Sequence, residues 1–289
     1  MRRPSVAIVV PFLGSAPERE RVAARFGTLT RQPGERVIIV DNGPRRIASR
    51  ESGGVTVLWA GEVASSYYAR NAGAAATDGE WIIFCDADTE PTVSLIDGYF
   101  AEAPWAGTGL LAGAVRDHPG GQGPVAALAR ATGAMAQQTT LSHPYLPYAV
   151  TANCAVRRAA FEEAGGFEPG VRSGGDADLC WRLARLGWEL EARPGALVDH
   201  RNRETLPALW NQRLRHGSGA AWLHRRYPGS MPAWSPHALA RDSALELTGA
   251  ARRAAADGDW RAAAVEAVKV SGWWAFELGR LRSNVARRR

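Results

Sequence analysis

Residues 81–91 read WIIFCDADTEP, and how this stretch folds decides the architecture around it. Trp81 to Cys85 form an unbroken apolar run, rich in β-branched and aromatic residues, as expected of a strand covered on both faces. The run stops at Asp86-Ala87-Asp88, and Thr89-Glu90-Pro91 follows. Two accounts of the acidic pair are open. In one, an Asx-type turn ends the strand and Asp88 caps the next helix. In the other, both carboxylates face one crevice and hold Mg²⁺ or Mn²⁺, hard cations that take carboxylates together with phosphate oxygens and water. Either way, Thr89-Glu90-Pro91 reads as the turn that starts a following helix.

Upstream the same grammar repeats. VAIVVPF (6–12), RVIIVDN (36–42) and VTVLWA (55–60) join WIIFCDAD (81–88) as continuous apolar runs. Helix-compatible stretches lie between or after them at Glu18–Thr30, Tyr67–Thr77 and Thr92–Ala101. This alternation predicts an α/β fold with a mostly parallel central sheet flanked by helices. In such sheets ligands bind beyond the carboxyl ends of the strands. Asp41 and Asp86 are both the first polar residue after an apolar run.

Further along, GLLAGAVRD (109–117) reads as a strand, GGQG (120–123) as a break, and Pro124–Leu141 as an Ala-rich helix. TANCAVRRAAFEEAGGF (151–167) is a strand running into a short helix stopped at Gly165-Gly166. GGDADLCWRLARLGW (174–188) starts a helix with aspartates at its mouth and spaces Leu179, Leu183 and Leu186 along one face. LEARPGALVDH (190–200) reads as a final strand pair or hairpin. From about Glu204 the pattern is helical, with Pro-rich breaks between Pro228 and Pro236. In the last helix Trp260, Val265, Val268, Trp273, Phe276 and Leu281 share one face. The expected division is a domain at 1–220 and a C-terminal helical appendage at 221–289, with no internal repeat.

Composition narrows the class. The 289 residues are 46% hydrophobic and 22% charged, which is globular, and no segment has the unbroken apolar length of a membrane span. The opening MRRPSVAIVVPFLG sets basic residues before an apolar run, but that run is short and cut by Pro11. It reads as a core strand rather than a leader, so a cytoplasmic protein is expected. The 3 cysteines, Cys85, Cys154 and Cys180, are far apart and read as small buried hydrophobes. Net charge is +6, but the basic residues are scattered arginines and Lys269 is the only lysine. That describes a basic solvated surface, not a nucleic-acid face.

Several residues are candidates for chemistry. Asp176 and Asp178 open a helix, where carboxylates are favoured by capping and by the helix dipole. A carboxylate there is also able to act as a general base. Arg70, in YYARNAGAAATDG, is a surface helix residue or a phosphate or base contact. His200 ends an apolar run as a structural histidine or a metal ligand. Gln212, Arg213 and Arg215 in NQRLRHG describe the wet face of a helix or a binding motif. Neither a G-x-x-x-x-G-K-[ST] loop nor G-x-G-x-x-G after the first strand is present, which disfavours nucleotide hydrolysis and nicotinamide chemistry.

Taken in order, VVPF, IIVDNG, ARNAG, FCDADTEP, TANCAVRRAAFEEAGGF, GGDADLCWRL and GALVDH resemble the family 2 glycosyltransferases of GT-A fold, over about residues 5–220. The resemblance implies a Rossmann-like domain with a nucleotide-sugar donor lying across the strand ends. Asp41 matches an acidic residue that contacts the nucleobase, and Arg70 an arginine near the nucleotide. Pro11 and Asn153, in matching segments, are further donor contacts. Asp86 and Asp88 match a DxD motif through which Mg²⁺ or Mn²⁺ bridges the donor diphosphate, with His200 beside them. Asp176 matches the catalytic base of an inverting enzyme in a motif written Glu-Asp-x-Asp, and Asp178 its second aspartate. The chain departs from the pattern at PFLG, at DNG, and at Gly175, where an acidic residue is usual. NQRLRH is similar to the Gln-x-x-Arg-Trp motif of processive synthases, which makes Gln212 and Arg215 acceptor-side candidates, with His216 in place of the tryptophan.

The resemblance further implies an acceptor that is a carbohydrate, lipid-linked or small molecule, and a role in cell-envelope polysaccharide synthesis. Trp273, Trp274 and Arg287–Arg289 suit a helix resting on the inner face of the membrane; packing or a homodimer contact is the alternative. Two rival functions are a non-catalytic sugar-nucleotide-binding protein of the same fold and a nucleotidyltransferase. The latter should carry a Gly-rich basic loop, of which PFLGSAPERER is a partial version.

Overall fold

A computed structural model describes residues 3–117, 121–133 and 137–289. Two compact units are formed. The first comprises Met1–Arg116, Met135–His200 and Val285–Arg289, and the second Asp117–Ala134 and Arg201–Asn284.

The first unit is an α/β layer structure. Its strands are β1 (Val6–Phe12), β2 (Arg36–Asp41), β3 (Arg50–Ser52), β4 (Val55–Trp59), β5 (Trp81–Cys85), β6 (Thr89–Pro91), β7 (Thr108–Asp117), β8 (Asn153–Arg157) and β9 (Glu189–His200). Among the described residues they form a nine-stranded sheet in the order β3-β4-β2-β1-β5-β8-β7-β9-β6. β4, β2, β1 and β5 are mutually parallel, while β8 runs antiparallel to β5, and β7 antiparallel to β8. The result is a mixed sheet, mostly parallel at its centre.

Every residue of β1 and β5 is buried. At about 1.5–3 kcal/mol for each large apolar side chain removed from water, these strands carry the core. Helices α1 (Ala16–Gly27), α2 (Ser66–Ala75), α3 (Leu95–Tyr99), α4 (Pro124–Thr132), α5 (Gln137–Leu141), α6 (Arg158–Glu163) and α7 (Gly175–Arg185) intervene. Helix α2 lies very close to the sheet, because a Cβ on Gly73 would fall 2.4 Å from the Val9 side chain. The three cysteines are buried and free. Burial pushes the Cys180 thiol up to about 12, which makes it inert at neutral pH.

Several sequence expectations are corrected. Thr89-Glu90-Pro91 is not the turn that starts a helix but strand β6, paired antiparallel with the end of β9. Asp88 therefore caps no helix, and α3 is only five residues long. Residues 190–200 are no hairpin: β9 runs unbroken over 12 residues. The helix expected over 124–141 ends as α4 at Thr132 with Gly133 in the left-handed conformation, and residues 134–136 lie outside those described.

Asn153 was expected at the donor. Its side chain is fully buried and ties strands together. The amide donates to the carbonyls of Ala114 on β7 and Ala196 on β9, both at 2.8 Å, and accepts from the Tyr99 hydroxyl at 2.6 Å. Gly113 makes room for this clasp, since a Cβ there would fall 2.3 Å from Asn153 Nδ2. Both hydrogens of the side-chain amide are thus used within the sheet.

The second unit contains α4 and the helices α8 (Leu206–Arg226), α9 (Pro236–Asp257) and α10 (Trp260–Gly279). Helix α10 buries only part of the face expected to hold Trp260, Val265, Val268, Trp273, Phe276 and Leu281. Its buried residues are Val268, Val270, Gly272, Ala275 and Gly279, while Trp260 is exposed and Leu281 lies exposed beyond the helix. Backbone contact explains this: a Cβ on Gly217 of α8 would meet the Phe276 carbonyl oxygen, and one on Gly279 the Leu214 carbonyl oxygen. Small residues define the crossing. Arg287–Arg289 are not on this helix and belong to the first unit. Among the described residues, no helix is long and apolar enough to cross a membrane.

The clasp is directly testable. Asn153→Ala leaves two carbonyls and the Tyr99 hydroxyl unsatisfied in the core, each costing about 1–3 kcal/mol. Urea denaturation should show a loss of at least about 3 kcal/mol. Wild-type stability with lost nucleotide affinity would place Asn153 at the binding site rather than in a structural clasp.

Candidate active site

The aspartates that follow β5 sit in a tight turn. The Thr89 backbone N–H and hydroxyl both donate to the Asp86 carbonyl oxygen, at 3.2 and 2.7 Å. Chain direction then reverses into β6, whose register sets Thr89 opposite His200, Glu90 opposite Asp199 and Pro91 opposite Val198. His200 is thereby carried beside Asp88, with Nε2 3.4 Å from Oδ1. From the side, Arg25 of α1 donates to the carbonyls of Ala87 and Thr89, at 3.2 and 2.7 Å. The turn is held at its ends and from its flank.

One ligand atom from each of Asp86, Asp88 and His200 lies within 4.8 Å of the others. Two half-exposed carboxylates and a buried imidazole are a donor set suited to a divalent cation that accepts nitrogen as well as oxygen, Mn²⁺ more readily than Mg²⁺.

Arg70 projects from α2, which is capped by the Ser65 hydroxyl accepting from the Tyr67 and Tyr68 N–H groups. The surface-residue reading fails: Arg70 is buried. It donates to Asp86 Oδ1 at 2.5 Å and packs over the rings of Tyr67 and Phe167, at 5.4 and 5.9 Å to the centroids. Among the described residues its buried Nε has no hydrogen-bond partner.

Asp176 and Asp178 open α7 but differ completely in their surroundings. Asp178 is fully buried; its Oδ2 accepts from Arg182 Nε at 2.9 Å and forms an ion pair with Nη2 at the same distance. Arg182 also donates to the carbonyls of Ala164 and Gly166. That pair locks α7 to the end of α6. Asp176 remains partly exposed. Burial raises its pKa, opposed by the Ala177 N–H and then by the positive field of Arg70, while Asp86 adds to the rise. A carboxylate whose charged form is disfavoured holds a proton more readily, as a general base requires. Gly175 has a local reason, since an added Cβ would fall 2.9 Å from the Tyr67 ring.

At the end of β2, Asp41 is buried and accepts from Arg19 Nη1 at 2.6 Å and from the Gly43 N–H at 2.7 Å. Pro11 lies at the carboxyl end of β1, paired with Val40, past the last β1–β5 pair at Val9 and Phe84. Its missing N–H thus falls where the β5 ladder has stopped. Gln212 and Arg215 lie on α8 of the second unit, half-buried and exposed respectively. Neighbouring His216 is pushed down to about 3 by burial and by Arg215, Arg213 and Arg203.

Sequence reasoning missed Arg19, Arg25 and a cluster around Trp181. In that cluster Tyr145 and Tyr148 lie 4.9 and 6.0 Å from the Trp181 ring, and burial raises the Tyr148 pKa, with Asp176 adding to the rise. The two arginines had no signal among so many others. SHPYLPY (142–148) did carry one, in its density of aromatic and proline residues.

Comparison with known proteins gives this geometry its context. A model described as Glycosyl transferase family group 2 matches residues 81–273. Two curated relatives, pre-mycofactocin glycosyltransferases from Mycobacterium tuberculosis strains CDC 1551 / Oshkosh and ATCC 25618 / H37Rv, are each 29% identical over 79% of this chain and 52% of their own. The chain therefore spans about half the length of the curated relatives it matches. Among solved structures, the mannosyltransferase PcManGT from Pyrobaculum calidifontis in complex with GDP-Man and Mn²⁺ superposes with a TM-score of 0.60 at 17% identity, over 96% of this chain and 88% of that one. GalNAc-T7 with UDP, GalNAc and Mn²⁺ gives 0.52 at 15% identity, over 86% of this chain and 51% of that one. These likenesses speak to the fold. The family match covers more than half of the 289 residues and takes in Asp86, Asp88, Asp176 and His200, so the chain belongs to glycosyl transferase family group 2, as a family 2 glycosyltransferase domain of GT-A fold.

Proposed function

We propose that the chain transfers a sugar from a nucleotide-sugar donor to an acceptor hydroxyl with inversion at the anomeric carbon. The observation that carries this reading is the convergence of Asp86, Asp88 and His200 beside Arg70, with Asp176 in the same electrostatic field. The donor complexes of structural neighbours, with GDP-Man and with UDP, support a nucleotide-sugar ligand. The acceptor is a carbohydrate, lipid-linked or small molecule.

Asp41 and the wall at Pro11 face the nucleobase end, and Arg70 draws the donor's negative charge toward the strand ends. Asp86, Asp88 and His200 would hold Mg²⁺ or Mn²⁺. Bound there, the cation offsets negative charge on the departing diphosphate. Asp176 accepts the proton of the acceptor hydroxyl as its oxygen bonds to the anomeric carbon, and the bond from that carbon to the diphosphate oxygen breaks on the opposite face. Asp178, paired with Arg182, holds the helix that presents Asp176.

Asp176→Asn should lower turnover by about 10²- to 10⁴-fold while donor affinity persists. Near-normal turnover would place the base elsewhere. The same variant reports on charge. A folded-state pKa above the ordinary 3.8 stabilises the fold fully below that value and less as pH climbs through the raised pKa. Ionised Asp176 is therefore unfavourable at pH 7, and Asp176→Asn should melt higher than wild type there. That gain should shrink as pH falls toward 3.8; a pH-independent difference would contradict the burial account.

Thermal shift with Mn²⁺ and a panel of nucleotide sugars tests the donor site, because a ligand stabilises in proportion to its occupancy. Asp88→Ala and His200→Ala should each abolish the Mn²⁺-dependent part of the shift. A shift of unchanged size in both variants would remove the metal from this triad.

A further inference from the structure

Residues 285–289 run between two loops of the first unit. Val285 bridges antiparallel to Val171 and Arg288 to Val63. The Ala286 N–H donates to the Gly170 carbonyl at 2.7 Å, the Ala64 N–H to the Arg287 carbonyl at 2.8 Å, and the Arg289 N–H to the Glu62 carbonyl at 2.8 Å. Ala286 is buried between them. Five residues thus act as a short strand stitched on both sides.

Both loops lead directly into candidate machinery. Residues 62–64 run into Ser65, the cap of α2, which carries Arg70; residues 170–171 precede the Gly174 entry to α7, which carries Asp176. The loops also touch each other, since the Ser65 hydroxyl donates to the Val171 carbonyl at 2.7 Å. A third link reaches the nucleobase end. Arg289 Nη1 donates to the Asn42 carbonyl at 2.5 Å, while Asn42 Nδ2 donates to the carbonyls of Ala60 and Val63 at 2.5 and 2.8 Å. The Asn42 backbone N–H bonds to the Phe12 carbonyl at 2.7 Å, and the next N–H, on Gly43, bonds to Asp41 Oδ1. The guanidinium is therefore one carbonyl away from the turn that holds Asp41.

We infer that residues 285–289 are a clasp that sets the nucleotide end of the site, with Arg289 the positioning residue for the Asp41–Gly43 turn. This rests on the reading of that turn as the nucleobase contact of a nucleoside diphosphate. Arg289 touches no reacting atom; it fixes the turn that faces the ligand, and its main-chain bonds survive replacement of the side chain.

The test is calorimetric titration of the intact chain with UDP, GDP and dTDP in the presence of Mn²⁺, repeated on Arg289→Ala and Arg289→Lys. Loss of a hydrogen bond from a charged donor should weaken nucleotide binding about tenfold in Arg289→Ala. Arg289→Lys should recover part of it, and the melting temperature without nucleotide should stay within about 2 °C of wild type. Mn²⁺ binding without nucleotide should be unchanged. Removing residues 285–289 should weaken nucleotide binding further. Affinity in Arg289→Ala within twofold of wild type, or a loss matched by a fall in melting temperature that Arg289→Lys does not restore, overturns the clasp while leaving the nucleotide-sugar reading intact. If the intact chain binds none of the three nucleotides, that reading fails and the clasp's role fails with it.

Discussion

The candidate site depends on one short antiparallel ladder, three residues of β6 against the last three of β9. β5 alone delivers Asp86 and Asp88 to the edge of the core, where they would be an acidic turn and nothing more. The ladder brings His200 alongside Asp88 from a remote part of the chain. Because side chains alternate faces along a strand, a slip of one residue would turn His200 to the other face. The register has to be held from both ends. At one end Arg25 fixes the carbonyls of Ala87 and Thr89; deeper in the sheet, Asn153 joins β8 to β7 and β9. Asn153, expected at the donor, thus braces the strand that carries a metal-ligand candidate.

Charge is arranged around this ladder so that no single form is comfortable. Asp86, Asp88 and Asp176 gather negative charge where water is partly excluded, and buried Arg70 donates to Asp86. Burying a guanidinium costs solvation that a lone ion pair rarely returns in full. Here two aromatic faces supply further attraction, from Tyr67 and Phe167. The pKa of Asp176 is raised first by burial; Arg70 opposes the rise and Asp86 adds to it. Sites tuned for function commonly sacrifice stability in this way.

Much of the fold was legible because it is local or periodic. Continuous apolar runs marked β1, β2, β4 and β5, and the strand-end position of Asp41 and Asp86 followed from them. What could not be read depends on partners distant in sequence. Thr89-Glu90-Pro91 has the composition of a turn, and a proline argues against a strand. It is a strand because β6 is the edge of the sheet, where a missing N–H breaks no ladder. Similarly, Trp260 and Trp273 have more surface to bury than glycine, yet α10 turns Gly272, Ala275 and Gly279 inward because backbone approach to α8 decides the crossing. Arg287–Arg289 suggested a basic patch on a helix, but their strand-like pairing is made through main-chain atoms and leaves no pattern in side-chain type.

Tyr67 links the two halves of the inferred chemistry. Arg70, one turn further along α2, lies over its ring, and Gly175 at the start of α7 is pressed against the same ring, with no space for a Cβ. The distance between the helix that carries Arg70 and the helix that carries Asp176 is therefore set by one aromatic thickness. An acidic side chain at position 175 would have to displace that ring, and with it the packing that holds Arg70 on Asp86. The departure from Glu-Asp-x-Asp is thus compatible with Asp176 as base. Gly175 lets α7 approach the Tyr67 ring of α2 closely, while Asp178, two positions beyond Asp176, is paired with Arg182.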